Sequence, residues 1–203
     1  MAKNDCLINF VLDRSGSMSH LTDATIEGFN GFCDEQRNQP GKTLLSLTLF
    51  DTAFDVRYVA QDLSEMPAMA RSGPNAYGTN GGTALNDAVG TTVRGTEAWL
   101  DKHLDFDGRV VCVILTDGEE NSSHEWDLDA LNRLIAEKRT AGWDFVFLGA
   151  GQAAWTEGQK FTAIPAMNRV AYASTGADTL LNFAAVADSL SVARSTGGSF
   201  TGS

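Results

Sequence analysis

No apolar run in this 203-residue sequence approaches the roughly 18–20 residues that a bilayer span requires. The start, Met1 to Leu7, lacks the charged, apolar and small-residue succession of a secretory leader. A cytoplasmic protein is therefore expected. Cysteine is scarce: Cys6, Cys33 and Cys112 are odd in number, far apart and never in C-x-x-C spacing. That speaks against a disulfide framework and a structural zinc. Cys112 lies inside the apolar run Val110–Leu115 and Cys6 borders another, so the cysteines read as small buried hydrophobes. Basic side chains are also few, 15 Lys and Arg against 26 Asp and Glu, for a formal charge of −11. A phosphate backbone or an anionic membrane surface attracts a basic face, so neither nucleic acid nor membrane is an expected partner. G-x-x-x-x-G-K-[ST] is absent, which excludes a P-loop NTPase, and so is the G-x-S-x-G of a serine hydrolase.

What is present is an alternation of strand and helix patterns. Leu7–Leu12 reads as a buried strand and Thr22–Asn38 as a helix, with Ile26, Phe29 and Cys33 near one face and Pro40-Gly41 as its stop. Thr43–Phe50 alternates Leu45, Leu47 and Leu49 with Ser46 and Thr48. Ala53–Ala60 follows after a short break, which predicts a hairpin. Gln61–Gly82 is irregular, with a helical turn expected over Met66–Arg71. Ala84–Leu104 has Leu85, Val89, Val93 and Leu100 at helical spacing. Arg109–Thr116 is almost wholly apolar, as suits a parallel strand covered on both faces. A helix over Asp127–Ala141, strands over Asp144–Leu148 and Arg169–Ala173, and a helix over Thr179–Arg194 complete the pattern. The prediction is one domain over residues 1–195, with 196–203 as a flexible tail. Its fold class is α/β: a doubly wound, mostly parallel sheet of about six strands with one antiparallel edge strand and helices on both faces.

In such sheets ligands bind beyond the carboxyl ends of the strands. Asp13 ends the first strand, in Asp13-Arg14-Ser15-Gly16-Ser17. Asp117 directly follows the most apolar strand, in Leu115-Thr116-Asp117-Gly118. Thr83 starts a helix after Gly81-Gly82. If the two strands are neighbours, these segments meet, and Asp13, Ser15, Ser17, Thr83 and Asp117 form a set of oxygen donors. In an extended turn positions 13, 15 and 17 face one side. Such a set is suited to a hard cation: Mg²⁺ takes near-octahedral oxygen coordination and keeps some of its water.

Asp13-x-Ser15-x-Ser17, Gly81-Gly82-Thr83 and Thr116-Asp117-Gly118 resemble the three parts of the metal-ion-dependent adhesion site (MIDAS) of von Willebrand factor type A (VWA) domains. The resemblance runs from the first strand to at least residue 149. The stretch "FLGAGQAAW" and the C-terminal helix resemble a small bacterial and phage subgroup. The resemblance implies a Rossmann-like fold and a role for each residue. Ser15, Ser17 and Thr83 would bind Mg²⁺ through their hydroxyls, with Mn²⁺ or Ca²⁺ as substitutes. Asp13 and Asp117 would hold the ion largely through water, and Asp13 would also orient the serines. One coordination position would be left for an Asp or Glu carboxylate of a partner protein. The resemblance also implies an AAA-type ATPase, or a component of stress and phage-related systems, as the class of partner. The implied function is a divalent-metal-dependent protein-binding module that is not an enzyme.

Two alternatives stand beside it. A phosphohydrolase-like enzyme could use Asp13 as nucleophile, but the second acid of its Asp-x-Asp pattern is here Ser15, which removes the general acid. A metal-free structural component would use Asp13 and its serines only as a helix cap or turn. Gly149-x-Gly151-x-x-Ala154 is a weak dinucleotide fingerprint without its ribose-binding acid. Asp87 reads as a helix-start carboxylate favoured by the dipole, in preference to a brace for the site. Glu119 and Glu120 read as solvated, and His20 and His124 as exposed loop residues. Tyr77 and Asn80 either line a partner surface or shape their loop.

Overall fold

The computed structural model describes residues 4–198 and 200. Among them a six-stranded sheet has the order β3-β2-β1-β4-β5-β6. The strands are β1 (Cys6–Asp13), β2 (Thr43–Phe50), β3 (Phe54–Asp62), β4 (Arg109–Thr116), β5 (Asp144–Ala150) and β6 (Arg169–Tyr172). β3 pairs antiparallel with β2, and every other pair is parallel. This is the expected architecture, including the antiparallel edge. β1 and β4 lie side by side with Leu12 opposite Leu115. From β1 the chain winds outward to β2, and from β4 outward to β5, so the gap between them is the switch point of the sheet.

Alternate residues of the central strands feed two separate cores. Ile8, Phe10, Leu12, Val113 and Leu115 face one side, under α1 (Thr22–Arg37) and α5 (Gly176–Thr196). Leu7, Val11, Cys112 and Ile114 face the other, under α2 (Leu85–Leu100) and α3 (Leu128–Thr140). Both faces being covered explains why β1 and β2 are buried at every position. Phe10 anchors the first core, edge-on to Phe29 and Phe32 at 5.3 Å and stacked on Phe183 at 5.7 Å. The three cysteines are free and buried, and desolvation pushes each thiol up to about 12.

Several local expectations change. Gly151–Lys160, to which no element was assigned, forms a helix, α4. Gly158 lies flat against the Phe147 ring and Gly149 against the Ala154 backbone, so the weak dinucleotide fingerprint marks close helix–strand packing. The helical turn expected over Met66–Arg71 falls instead at Leu63–Glu65, capped by Asp62, whose side chain accepts from the Ser64 N–H. α2 stops at Leu100, and Leu104 beyond it is exposed. α5 starts earlier than expected because Thr175 caps it, and Gly197 closes it in the left-handed region. In the stretch 196–203, Thr196 ends α5 and Phe200 is buried against the core. Residues 199 and 201–203, on which the rest of the expected tail falls, lie outside the described residues.

Candidate metal centre

β1 delivers Asp13 to the switch point fully buried. Its two carboxylate oxygens have separate partners: the Ser15 N–H donates to Oδ1 at 2.6 Å, and the Thr116 hydroxyl, across the strand gap, donates to Oδ2. The chain then leaves the sheet. Ser15 is extended, and Gly16–Leu21 forms a tight 3-10 turn. This geometry brings the Ser15 and Ser17 hydroxyl oxygens within 3.0 Å of each other. The Ser17 hydroxyl donates to Asp117 Oδ1 at 2.5 Å, which joins the first segment to the third.

Thr83 enters from the loop before α2. The Gly16 N–H donates to the Gly81 carbonyl at 3.1 Å and the Asn80 N–H to the Arg14 carbonyl at 2.8 Å, so the two loops run together. Gly81 adopts φ +69°, and a Cβ on Gly82 would meet Ser122 Oγ at 2.5 Å; this is the physical reason for the glycine pair. Thr83 is then clasped by the loop after β4. Its N–H donates to Asn121 Oδ1 at 2.9 Å, and its carbonyl accepts from the N–H groups of Asn121 and Ser122. Its hydroxyl and that of Ser17 lie 3.3 and 3.7 Å from the point where a Gly118 Cβ would stand. The three segments therefore converge, with every predicted donor on one small patch at the top of the sheet.

The electrostatics of the patch are unbalanced. Burial pushes the Asp13 carboxyl up from 3.8 to about 6, against the pull of its hydrogen bonds from Thr116 and Ser15, and the nearby Asp117 raises it further. Burial also raises Asp117, with Ser17 and His20 opposing. Among the described residues no lysine or arginine offsets either charge. The neighbouring Arg14 turns away, to Asp51 at 3.0 Å and Asp55 at 3.9 Å. Two carboxylates and three hydroxyls with no lysine or arginine partner among the described residues are a donor set a hard divalent cation fits. The described residues contain no group of three or more His, Cys, Asp or Glu suited to a metal ion, so the softer-ligand alternatives have no counterpart here.

Residues outside the predicted set hold the patch together. Asp87 does stand in the first turn of α2, as expected of a helix-start carboxylate, and it also accepts the N–H groups of His124, Glu125 and Trp126 at 2.8–2.9 Å. Glu120, expected to be solvated, accepts from the N–H groups of Asn86, Ser122 and Ser123 and from the Ser123 hydroxyl. Glu119 and His124 are exposed. His20 is exposed too, but its ring bridges the Ser17 carbonyl and Ser174. Tyr77 is buried and shapes its loop, its hydroxyl donating to the Asp13 carbonyl at 2.6 Å, whereas Asn80 is exposed. A Tyr77→Phe variant leaves that carbonyl unpaired and should lose about 1–2 kcal/mol of stability in urea denaturation. Thr116 was legible only as the polar end of an apolar strand; its part at Asp13 depends on the strand pairing.

Comparison with known proteins agrees with this fold. A protein-family model, von Willebrand factor type A domain, matches residues 8–185. No curated protein sequence matches the chain. A structure of proximal thread matrix protein 1 from the mussel byssus, with a zinc-occupied MIDAS motif, superimposes with TM-score 0.64 at 15% identity, covering 96% of this chain and 47% of that one. A von Willebrand factor type A structure from Catenulispora acidiphila gives 0.65 at 16%, covering 92% and 43%. Manganese-loaded TRAP protein of Plasmodium vivax gives 0.59 at 14%, covering 89% and 73%. At these identities the shared property is the fold, and the chain spans about half the length of the byssus and Catenulispora proteins. No helix among the described residues is long and apolar enough to cross a membrane.

Proposed function

This chain belongs to the von Willebrand factor type A domain family, and from that premise we propose that it is a divalent-cation-dependent protein-binding domain without catalytic turnover. Ser15, Ser17 and Thr83 hold the ion through their hydroxyls, and Asp13 and Asp117 hold it largely through water. Mg²⁺ is the expected cation, with Mn²⁺ or Ca²⁺ as substitutes. The ion supplies positive charge beside the carboxylates of buried Asp13 and half-buried Asp117 and an open position for an anionic oxygen. A partner protein fills that position with an Asp or Glu carboxylate; an AAA-type ATPase bearing such a residue suits this chemistry. We take residues 1–195 as one such domain. Three unpaired thiols suit a reducing, cytoplasmic setting.

The observation that carries the reading is the convergence of five oxygen-bearing side chains, two of them the carboxylates of buried Asp13 and half-buried Asp117, with no lysine or arginine partner among the described residues. A phosphohydrolase reading is weaker because Ser15, at the position of the second acid, is occupied with Ser17. Affinity capture from lysate in Mg²⁺, in EDTA, and with Asp13→Ala tests the proposal. Partner recovery is expected in the first condition alone, and equal recovery in all three would defeat it. A second measurement is independent of any partner. Mg²⁺ at 100 times its Kd should raise Tm by about 5–10 °C, and Thr83→Ala should weaken the titrated affinity by about tenfold.

A further inference from the structure

α5 differs from the other α-helices in that apolar residues run round its whole circumference. Phe183, Val186, Ala187 and Leu190 are buried inward. Outward, Leu181 is 66% and Val192 60% exposed, with exposed Ala184 and Ala185 between them. The helix has few charged side chains, and its arginine, Arg194, is buried and donates to Gln36. Such a helix is ordinarily covered on both sides, whereas the sheet and α1 cover only one.

Beside the exposed stripe, α1 and α5 enclose an open groove of 290 Å³, lined by Glu27, Gly31 and Glu35 on one wall and Leu180, Phe183 and Ala184 on the other. Two glycines of α1 line it, and only one is required by the fold. A Cβ on Gly28 would meet the Phe183 ring at 2.4 Å. A Cβ on Gly31, about one turn further along, would meet nothing within 4 Å, and its backbone angle is not in the left-handed region. Glycine inside a helix is disfavoured relative to alanine, so the packing of this chain does not account for Gly31. With Ala184 opposite, it permits the close approach of another backbone, as small residues do where helices pack tightly.

The rim is acidic. Glu27, Glu35 and Asp188 have no ion pair among the described residues, whereas Asp23 and Asp34 are matched by Arg71 and Arg37. We infer that this groove seats an amphipathic helix of a partner protein, apolar along its seam and flanked by lysine or arginine. Charge selects that occupant. A second copy of this chain, also at −11, would oppose the same carboxylates, and an anionic lipid surface would be repelled. The mode is helix-in-groove recognition, on a face of the sheet separate from the metal site.

A fluorescein-labelled peptide of leucine and lysine with helical periodicity serves as the probe, titrated by anisotropy in EDTA at near-physiological salt. A scrambled leucine–lysine peptide and a leucine–glutamate counterpart are the controls. Wild type should bind the periodic lysine peptide about tenfold tighter than either control, and Gly31→Gln and Leu181→Ser should each remove about that factor while circular dichroism and Tm stay as in wild type. Glu27→Gln combined with Asp188→Asn should weaken binding and flatten its salt dependence. Equal binding of the scrambled peptide, or wild-type affinity in both Gly31→Gln and Leu181→Ser, would reduce the effect to net charge and overturn the inference. So would an unliganded dimer in sedimentation that Leu181→Ser splits, since a second copy would then occupy the groove. Because EDTA is present throughout, failure here leaves the metal-dependent reading intact.

Discussion

Asp13→Asn should melt higher than wild type in EDTA at pH 7.5 and show no response to Mg²⁺. The Asp13 carboxyl is buried, and in the metal-free fold it titrates near 6 against an ordinary 3.8. Below 3.8 the folded and unfolded states are both protonated and the group is neutral toward stability. Between 3.8 and about 6 the folded state holds its proton longer, so stability falls as pH rises through that window, and above it the full cost is present. The distance between the two values corresponds to about 3 kcal/mol, or about 6–12 °C in Tm for a chain of this size. Asparagine fits the same hydrogen bonds. Its Oδ1 still accepts from the Ser15 N–H, and its amide can donate to Thr116 Oγ1, whose proton already has the Gly118 carbonyl within 3.5 Å. The variant should therefore lose the fall in stability between pH 4 and 6 along with its cation response. A variant that melted below wild type in EDTA at pH 7.5 would mean that the buried charge is compensated within the protein.

Asp87→Ala should cost about 2–4 kcal/mol in urea denaturation, since it strands three backbone N–H groups that now donate to a carboxylate. Asp87 sits in the first turn of α2, one turn after Thr83, and it fixes the far end of the loop that begins at Asp117. Releasing that end loosens Asn121 and Ser122, which clasp the Thr83 backbone. Affinity for Mg²⁺ should consequently fall by about tenfold or more although Asp87 touches no donor oxygen. Asp87→Asn separates the two effects. It keeps an acceptor for Glu125 and Trp126 but places an amide against the His124 N–H, so its loss should be intermediate. Unchanged affinity in Asp87→Ala, measured by titration calorimetry, would mean that the loop holds its shape without this brace.

The strands were legible where burial on both faces suppresses polar alternation, as in Leu7–Leu12 and Val110–Leu115. The five oxygen-bearing side chains that converge at the top of the sheet were legible as a set because each stands at or near the end of such a run or at a helix start. α4 was not, because it is a short segment carrying Gly151 and Gly158, although its apolar face is as pronounced as those of α1 and α3. It is a helix because Gly149 and Gly158 let it lie close on β5, a contact invisible along the chain. The duties of Asp87 and Glu120 were hidden for a similar reason: most of their partners lie 34–39 residues away.

Composition and local pattern thus settle which segments extend, which coil, and which oxygens stand at their ends, because those depend on neighbours a few residues away. That Asp13 and Thr116, 103 residues apart, share a hydrogen bond depends on β1 and β4 lying adjacent in register, Leu12 beside Leu115. The balance of charge at the patch was settled at the same level. Burial raises Asp13 only once both faces of the sheet are covered, and Arg14, next to it in the chain, is drawn off to Asp51. Desolvation and pairing are properties of the packed neighbourhood, and that neighbourhood exists only after the distant segments have met.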